Sequence, residues 1–93
     1  MRVYTLLRDW QNHYQEGFAE FVGVYFTIEA LVSKLEELAK LHNRNDIVFN
    51  LDEIEETLSN LEFNQYSKSF IDIQPTHTFD WGFQFYVQCC DAL

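Results

Sequence analysis

Residues 79–90 read FDWGFQFYVQCC and contain the clearest strand pattern in the chain. Every second residue from position 81 is apolar: Trp81, Phe83, Phe85, Val87 and Cys89. Successive side chains of a strand point to opposite faces, so this period of two predicts a strand with one buried face. A second apolar stretch predicts a strand over about residues 66–74, ended by Pro75, and the two are close enough to form an antiparallel hairpin.

The N-terminal part of the chain predicts two more strands. Residues 2–7 are rich in β-forming side chains, and residues 8–17 are polar enough to indicate a loop. Residues 18–26 alternate with both faces mostly apolar, which is typical of a central strand or of a strand covered on both sides. The second face of this predicted strand carries Ala19, Phe21, Gly23 and Tyr25.

Two amphipathic helices are predicted between these pairs of strands. Apolar residues recur at three- and four-residue spacing over 28–42, after an N-cap at Thr27. A narrower apolar stripe predicts a second helix over 51–61, with Asn50 and Glu53 as a capping pattern. The order β-β-α-α-β-β predicts a single α+β domain over residues 1–93. We expect a two-layer sandwich, with a four-stranded antiparallel sheet and two helices on one face.

Several short motifs resemble a family of small bacterial and phage α/β domains of unknown function. They are Val3-Tyr4, Gly23-Val24-Tyr25, Glu29-Ala30, Phe70-Ile71-Asp72-Ile73 and Asp80-Trp81-Gly82-Phe83. The chain departs from the pattern in its 47–61 segment and in its tighter Trp-Gly spacing. The resemblance implies a compact α/β fold and no known activity, so it transfers no functional residues.

The balance of charge restricts the partners that the chain suits. Fifteen acidic residues oppose six basic ones, for a net charge of −9. Such a surface repels nucleic acid phosphates and anionic lipid, so we expect neither direct nucleic-acid binding nor membrane binding. It suits a basic protein, although acidity also simply keeps a small protein soluble.

The cysteines and the N-terminus predict a cytoplasmic protein, in its own cell or in a host cell. Adjacent Cys89 and Cys90 are poorly placed for a disulfide with each other, which indicates free thiols in a reducing compartment, one buried and one near the surface. Met1–Leu7 lacks the apolar region of a signal peptide. No apolar run approaches the ~20 residues of a membrane span.

No pattern typical of catalysis is present, so the sequence predicts no enzyme, no catalytic residue, no metal and no cofactor. His13, His42 and His77 lack metal-ligand spacing. His42 falls at a predicted helix end, where the helix dipole favours a positive charge. An enzyme or small-ligand domain stays as a third hypothesis, which needs a cleft formed by His77, Asp72 and Asp80.

The leading hypothesis is a small acidic protein-binding inhibitor or immunity-type protein, phage or bacterial, that blocks a basic partner, for example a nucleic-acid-processing protein. No Lys or Arg occurs from residue 45 to 67. The predicted contact surface consists of Glu36, Glu37, Asp52, Glu53, Glu55, Glu56 and Glu62. These acids would imitate nucleic acid phosphates or cover a toxin's active site. The alternative interpretation of the same residues is an ordinary solvated helix face.

A second hypothesis is a homodimeric accessory or structural protein. A sheet covered by helices on one side only leaves the other face wet, covered or paired. The predicted interface residues on that face are Phe21, Tyr25 and Tyr86.

Overall fold

A computed structural model describes residues 1–11, 16–74 and 81–91, which form a four-stranded antiparallel sheet and two α-helices. In chain order the elements are β1 (Arg2–Gln11), β2 (Glu16–Tyr25), α1 (Ile28–Leu41), α2 (Leu51–Ser59), β3 (Ile71–Ile73) and β4 (Gly82–Asp91). This order confirms the predicted α+β class, with both helices on one face of the sheet. The strands lie side by side in the order β2-β1-β4-β3.

β1 is longer than the sequence predicts, because residues 8–11 continue the strand instead of forming a loop. It pairs with β2 on one side and with β4 on the other, and the pairing with β4 extends to Gln11. The charge of Arg8 is tolerated on this central strand because Glu20 of β2 pairs with it. The partner that stabilises the polar end of β1 therefore comes from a different segment of the chain.

A β-bulge at Val22 changes which side of β2 faces the helices. Leu7 lies opposite Phe21, whereas the preceding residue of β1 lies opposite Gly23, so Val22 is the extra residue. Phe21 and Tyr25 would share a face in a regular strand, and the bulge places them on opposite faces.

The prediction that Tyr25 lies on the uncovered face with Phe21 and Tyr86 is therefore wrong. Tyr25 is the register partner of Tyr4, which is only 8% exposed, and it packs against the hydrophobic core. The Tyr25 ring also lies close above Gly23, where a Cβ atom would approach the hydroxyl oxygen to 3.0 Å.

Both helices begin at the predicted N-caps. Thr27 Oγ1 accepts a hydrogen bond from the Ala30 main-chain N–H at 3.1 Å, and Asn50 Oδ1 accepts one from Glu53 N–H at 3.0 Å. These side chains satisfy N–H groups that have no partner within the first helical turn. Past the end of α1, Asn43 takes a φ of 59°, a left-handed conformation that stops the helix.

The predicted strand over 66–74 is regular only at Ile71–Ile73. Before it, the chain follows β4 irregularly. Ser67 N–H donates to Val87 O at 2.7 Å, while Val87 N–H donates to the Ser67 side-chain Oγ at 3.0 Å. Because a hydroxyl oxygen replaces the main-chain acceptor, a regular ladder does not form here.

The hydrophobic core lies between the sheet and the two helices. As the alternation predicts, Phe83, Phe85, Val87 and Cys89 of β4 are buried on this side. The largest fully buried side chains come from both layers: Phe85, Leu6, Leu31, Leu35, Leu58, Ile71, Val87 and Cys89. The core thus fixes the orientation of α1 and α2 and the outward direction of their polar residues.

Candidate protein-binding surfaces

The first candidate surface is formed by acidic residues of the two helices. α2 turns Ile54 and Leu58, which are 5% and 0% exposed, toward the sheet, so its other positions face water. α1 and α2 contact each other, and their acids belong to one layer. All seven predicted carboxylates are exposed, and we call them the acidic helix surface: Glu36, Glu37, Asp52, Glu53, Glu55, Glu56 and Glu62.

Little positive charge neutralises this surface. Among the described residues, Glu37 is the only one of the seven acids with an ion-pair partner, Lys34, at 3.6 Å. An exposed pair of this kind contributes little to stability. Arg2 reaches α2 from β1 but donates to main-chain oxygens, to Leu58 O at 2.9 Å and to Ser59 O at 3.3 Å. It stabilises the negative end of the helix dipole, and these two hydrogen bonds do not involve the acidic side chains of α2.

The second candidate surface is the sheet face that points away from the helices, which we call the open sheet face. Phe21, Leu7 and Tyr86 are register partners in one row across β2, β1 and β4. The Tyr66 ring centroid lies 5.7 Å from that of Tyr86 and extends the row. Phe21 and Tyr66 are 63% and 56% exposed, whereas Leu7 and Tyr86 are half-buried. Val24, the register partner of Thr5 on the same face, is 42% exposed, so the patch is apolar and partly open to solvent.

By register, the open sheet face also includes polar and small residues on both sides of that row. Asp9 and Asp72 both face Gln84, at one end of the sheet. The other members are Val3, Thr5, Ala19, Gln84, Gln88 and Cys90. Of the three predicted interface residues, this face therefore contains Phe21 and Tyr86 and lacks Tyr25.

Sequence reasoning missed a polar and aromatic cluster on the helix-facing side of the sheet. Arg8 Nε and Trp10 Nε1 each donate a hydrogen bond of 2.9 Å to the same oxygen of Glu20, Oε2. The Arg8 guanidinium also lies 4.6 Å from the centroid of the Trp10 ring. The hydrogen bonds from Trp10 and Arg8 lower the pKa of Glu20. Only the shifted register of β2 brings these side chains together, and no local pattern signals it.

His42 lies beside this cluster, at the C-terminal end of α1. Its ring packs edge-on against Phe83, with centroids 4.8 Å apart. Its buried Nε2 atom has no hydrogen-bond partner among the described residues. Burial, and then the nearby charge of Arg8, lower the pKa of His42, although the helix end favours the charged form. The neutral imidazole therefore acts as a packing residue.

The described residues offer little for small-molecule chemistry. Among them, no group of three His, Cys, Asp or Glu side chains is placed to hold a metal ion. A groove beside the start of α2 has a volume of about 180 Å³, below the ~300–1,000 Å³ usual for ligand sites. Asp72 of the cleft hypothesis lies on the open sheet face, while His77 and Asp80 lie outside the described residues.

The two cysteines are free, as predicted, with Cys89 buried and Cys90 half-buried. Burial raises the pKa of the Cys89 thiol, which disfavours the reactive thiolate. No helix within residues 1–11, 16–74 and 81–91 is long and apolar enough to cross a bilayer.

Neither family models, nor curated proteins, nor solved structures give a match to this chain. The resemblance to small bacterial and phage domains therefore stays a prediction.

Proposed function

We propose that the protein is an inhibitor or immunity-type protein that binds a basic protein partner through the acidic helix surface. Such a partner, for example a nucleic-acid-processing protein, presents a groove of Lys and Arg side chains built to hold phosphates. The observation that supports this proposal is the exposure of all seven predicted carboxylates. Only one of them is paired with a basic side chain within the described part of the chain.

Unpaired, exposed charge favours fast association with an oppositely charged surface. Electrostatic steering raises association rates by roughly 10–10³-fold, and this gain falls steeply with ionic strength. The hydrophobic contacts of Ile54 and Leu58 hold α2 on the sheet. Its acids are therefore displayed on a folded support, which reduces the ordering cost of binding. Blockade would then follow from bulk and charge, without any chemical step.

The test combines salt with charge reversal in α2. The protein is used to capture partners from a lysate of its native host, and the captured protein is purified and titrated. We expect a basic partner whose affinity falls as NaCl rises from about 0.05 to 0.5 M. Glu53→Lys with Glu56→Lys should slow association by about tenfold or more.

A matched control separates surface charge from total charge. Glu29→Lys with Asp9→Lys takes the net charge from −9 to −5, as the α2 double variant does. Glu29 occupies the first turn of α1 as Glu53 occupies that of α2, so both variants lose a similar favourable interaction with a helix dipole. Equal effects of the two double variants, or binding that is indifferent to salt, would refute the proposal.

A further inference from the structure

We propose that the open sheet face binds a second copy of this chain, sheet against sheet, with the acidic helix surfaces pointing outward. This inference goes beyond the proposed function, which uses the opposite side of the molecule. It rests on the apolar row formed by Phe21, Leu7 and Tyr86, with Tyr66 beside it. Large exposed apolar patches on a folded protein mark interaction sites.

The row suits a symmetric contact. A two-fold interface brings the same patch of both copies together, so the patch has to complement itself. An uncharged aromatic and aliphatic row meets this condition, because apolar side chains of either copy pack equally well on each other. Aromatic side chains such as Phe21 and Tyr66, which are 63% and 56% exposed, have the most area to lose from water.

The size of the face is sufficient for a weak dimer. β1, β2 and β4 each have ten residues and are ~33 Å long, and residues 64–73, which include the short β3, run alongside β4. At a spacing of ~4.8 Å these four segments give a sheet face on the order of 600 Å². Interfaces of standard size remove ~600–1,000 Å² from each partner. The open sheet face therefore lies at the lower end of that range, and nearly all of it has to be covered for a dimer to form.

The charge distribution favours a second copy over a basic partner at this face. Among the side chains that the structure describes, Asp9 and Asp72 are the only charged ones that the register places there. A basic protein gains little from so neutral a surface, while an identical copy meets no like charge at its centre. Stacked sheets lie ~10 Å apart and each helix layer lies beyond its own sheet, so the two acidic helix surfaces are further apart than the ~8 Å screening length.

The aspartates also indicate how the copies are turned. Asp9 and Asp72 lie at the same end of the sheet, both beside Gln84. A two-fold axis along the row of Phe21, Leu7 and Tyr86 places the aspartates of the two copies at opposite ends of the interface. An axis parallel to the strands would bring them face to face, where like charges repel. We therefore assign the axis to the direction of the row.

Sedimentation of the purified full chain tests the dimer directly. We expect the apparent mass to rise from 11.1 kDa toward twice that value between about 1 and 200 µM protein. Because the contact is apolar, about 0.5 M NaCl should leave dimerisation unchanged or strengthen it. This response is opposite to the one expected for binding at the acidic helix surface.

A matched pair of variants locates the contact. Phe21→Asp should weaken dimerisation by about tenfold or more. Val48→Asp makes a similar apolar-to-acid change at a residue that is 88% exposed and lies outside the sheet, and it should leave dimerisation unaltered. Far-UV circular dichroism checks folding. If Phe21→Asp proves unfolded, Phe21→Thr, which introduces a residue with high strand propensity, takes its place.

Two results would overturn the inference. One is a wild-type chain that stays monomeric at about 200 µM in both low and high salt. The other is a dimer whose association Phe21→Asp and Val48→Asp weaken to the same extent. Neither result affects the proposal for the acidic helix surface. The double variant Glu53→Lys with Glu56→Lys is tested by its association with the basic partner, and not by self-association of this chain.

Discussion

Truncating one side chain, Leu58→Ala, tests how the acidic helix surface is supported. α2 has nine residues, and isolated helices shorter than ~12–15 residues are marginal in water. Its fold therefore depends on packing, which the structure assigns to Ile54 and Leu58. Leu58 is fully buried in the core cluster, so its removal leaves a cavity between α2 and the sheet.

The expected loss of stability follows from burial. Large-to-small changes of a buried Leu cost about 2.5–5 kcal/mol, the sum of lost transfer free energy and the cavity. The matched control is Leu51→Ala, the same chemical change in the same helix at a residue that is 37% exposed. It should cost less than about 1 kcal/mol. In a domain of this size, the difference of about 1.5–5 kcal/mol lowers the melting temperature of Leu58→Ala by about 6–40 °C relative to the control.

Urea and thermal unfolding, followed by circular dichroism, measure both variants. Neither variant changes the charge of α2, so any loss of partner binding in Leu58→Ala alone would come from the helix and not from its carboxylates. Equal stability of the two variants would refute the reasoning, because it would mean that α2 is not anchored through Leu58. Hydrogen exchange of the α2 amides then shows whether the helix opens separately from the sheet.

Three further predictions concern His42, Glu20 and Arg2. Because the pKa of His42 is lowered on folding, stability should fall as pH drops below about 6.5, and His42→Gln should flatten that part of a urea-unfolding series. The lowered pKa of Glu20 contributes stability above about pH 4.5 that is lost in more acidic solution. Glu20→Gln should remove this pH dependence of stability and change Trp10 fluorescence. An unchanged loss of stability at acidic pH in the variant would contradict the contact. Arg2→Met should cost about 1–2 kcal/mol in chemical unfolding by removing the cation at the end of α2, and a neutral effect would contradict that role.

Much of the fold was predictable because the hydrophobic pattern of several segments indicates directly which of their sides is buried. The alternation of Phe83, Phe85 and Val87 and the three- and four-residue spacing in α1 both correspond to faces that the structure buries. The caps Thr27 and Asn50 were predictable for the same reason, since a cap acts on N–H groups within its own first turn.

The features that sequence reasoning missed depend on partners far along the chain. The extension of β1 past residue 7 relies on Glu20, and the place of Tyr25 relies on the bulge, which no local composition signals. The shortening of β3 depends on the Ser67 hydroxyl replacing a main-chain acceptor. Each of these is a property of strand register, which is set by pairing and not by a single segment.

The candidate surfaces were predictable only in part. Exposure of the acids follows from the amphipathic pattern of α2, because Ile54 and Leu58 fix the side that is buried. Predicting which residues lie on the open sheet face requires the strand register. The register places Phe21 on that face, as it does Tyr86, whereas Tyr25 packs against the core. Which surface a partner uses depends on a molecule outside this chain.

The bulge at Val22 also bears on insertions, deletions and polymerisation. β2 is an edge strand, with β1 on one side only. Removing Val22 would leave Phe21 and Gly23 on their present faces and make β2 regular from Ala19 to Tyr25, while the second register shift, between Asp9 and Gln11, would remain. Val22 is therefore a position where the chain can lose a residue without moving the neighbouring side chains to the opposite face. A straightened edge, however, is a better template for strands of other molecules. We therefore expect the bulge at Val22 to hinder pairing of this edge with strands of other molecules, and so to oppose fibre growth.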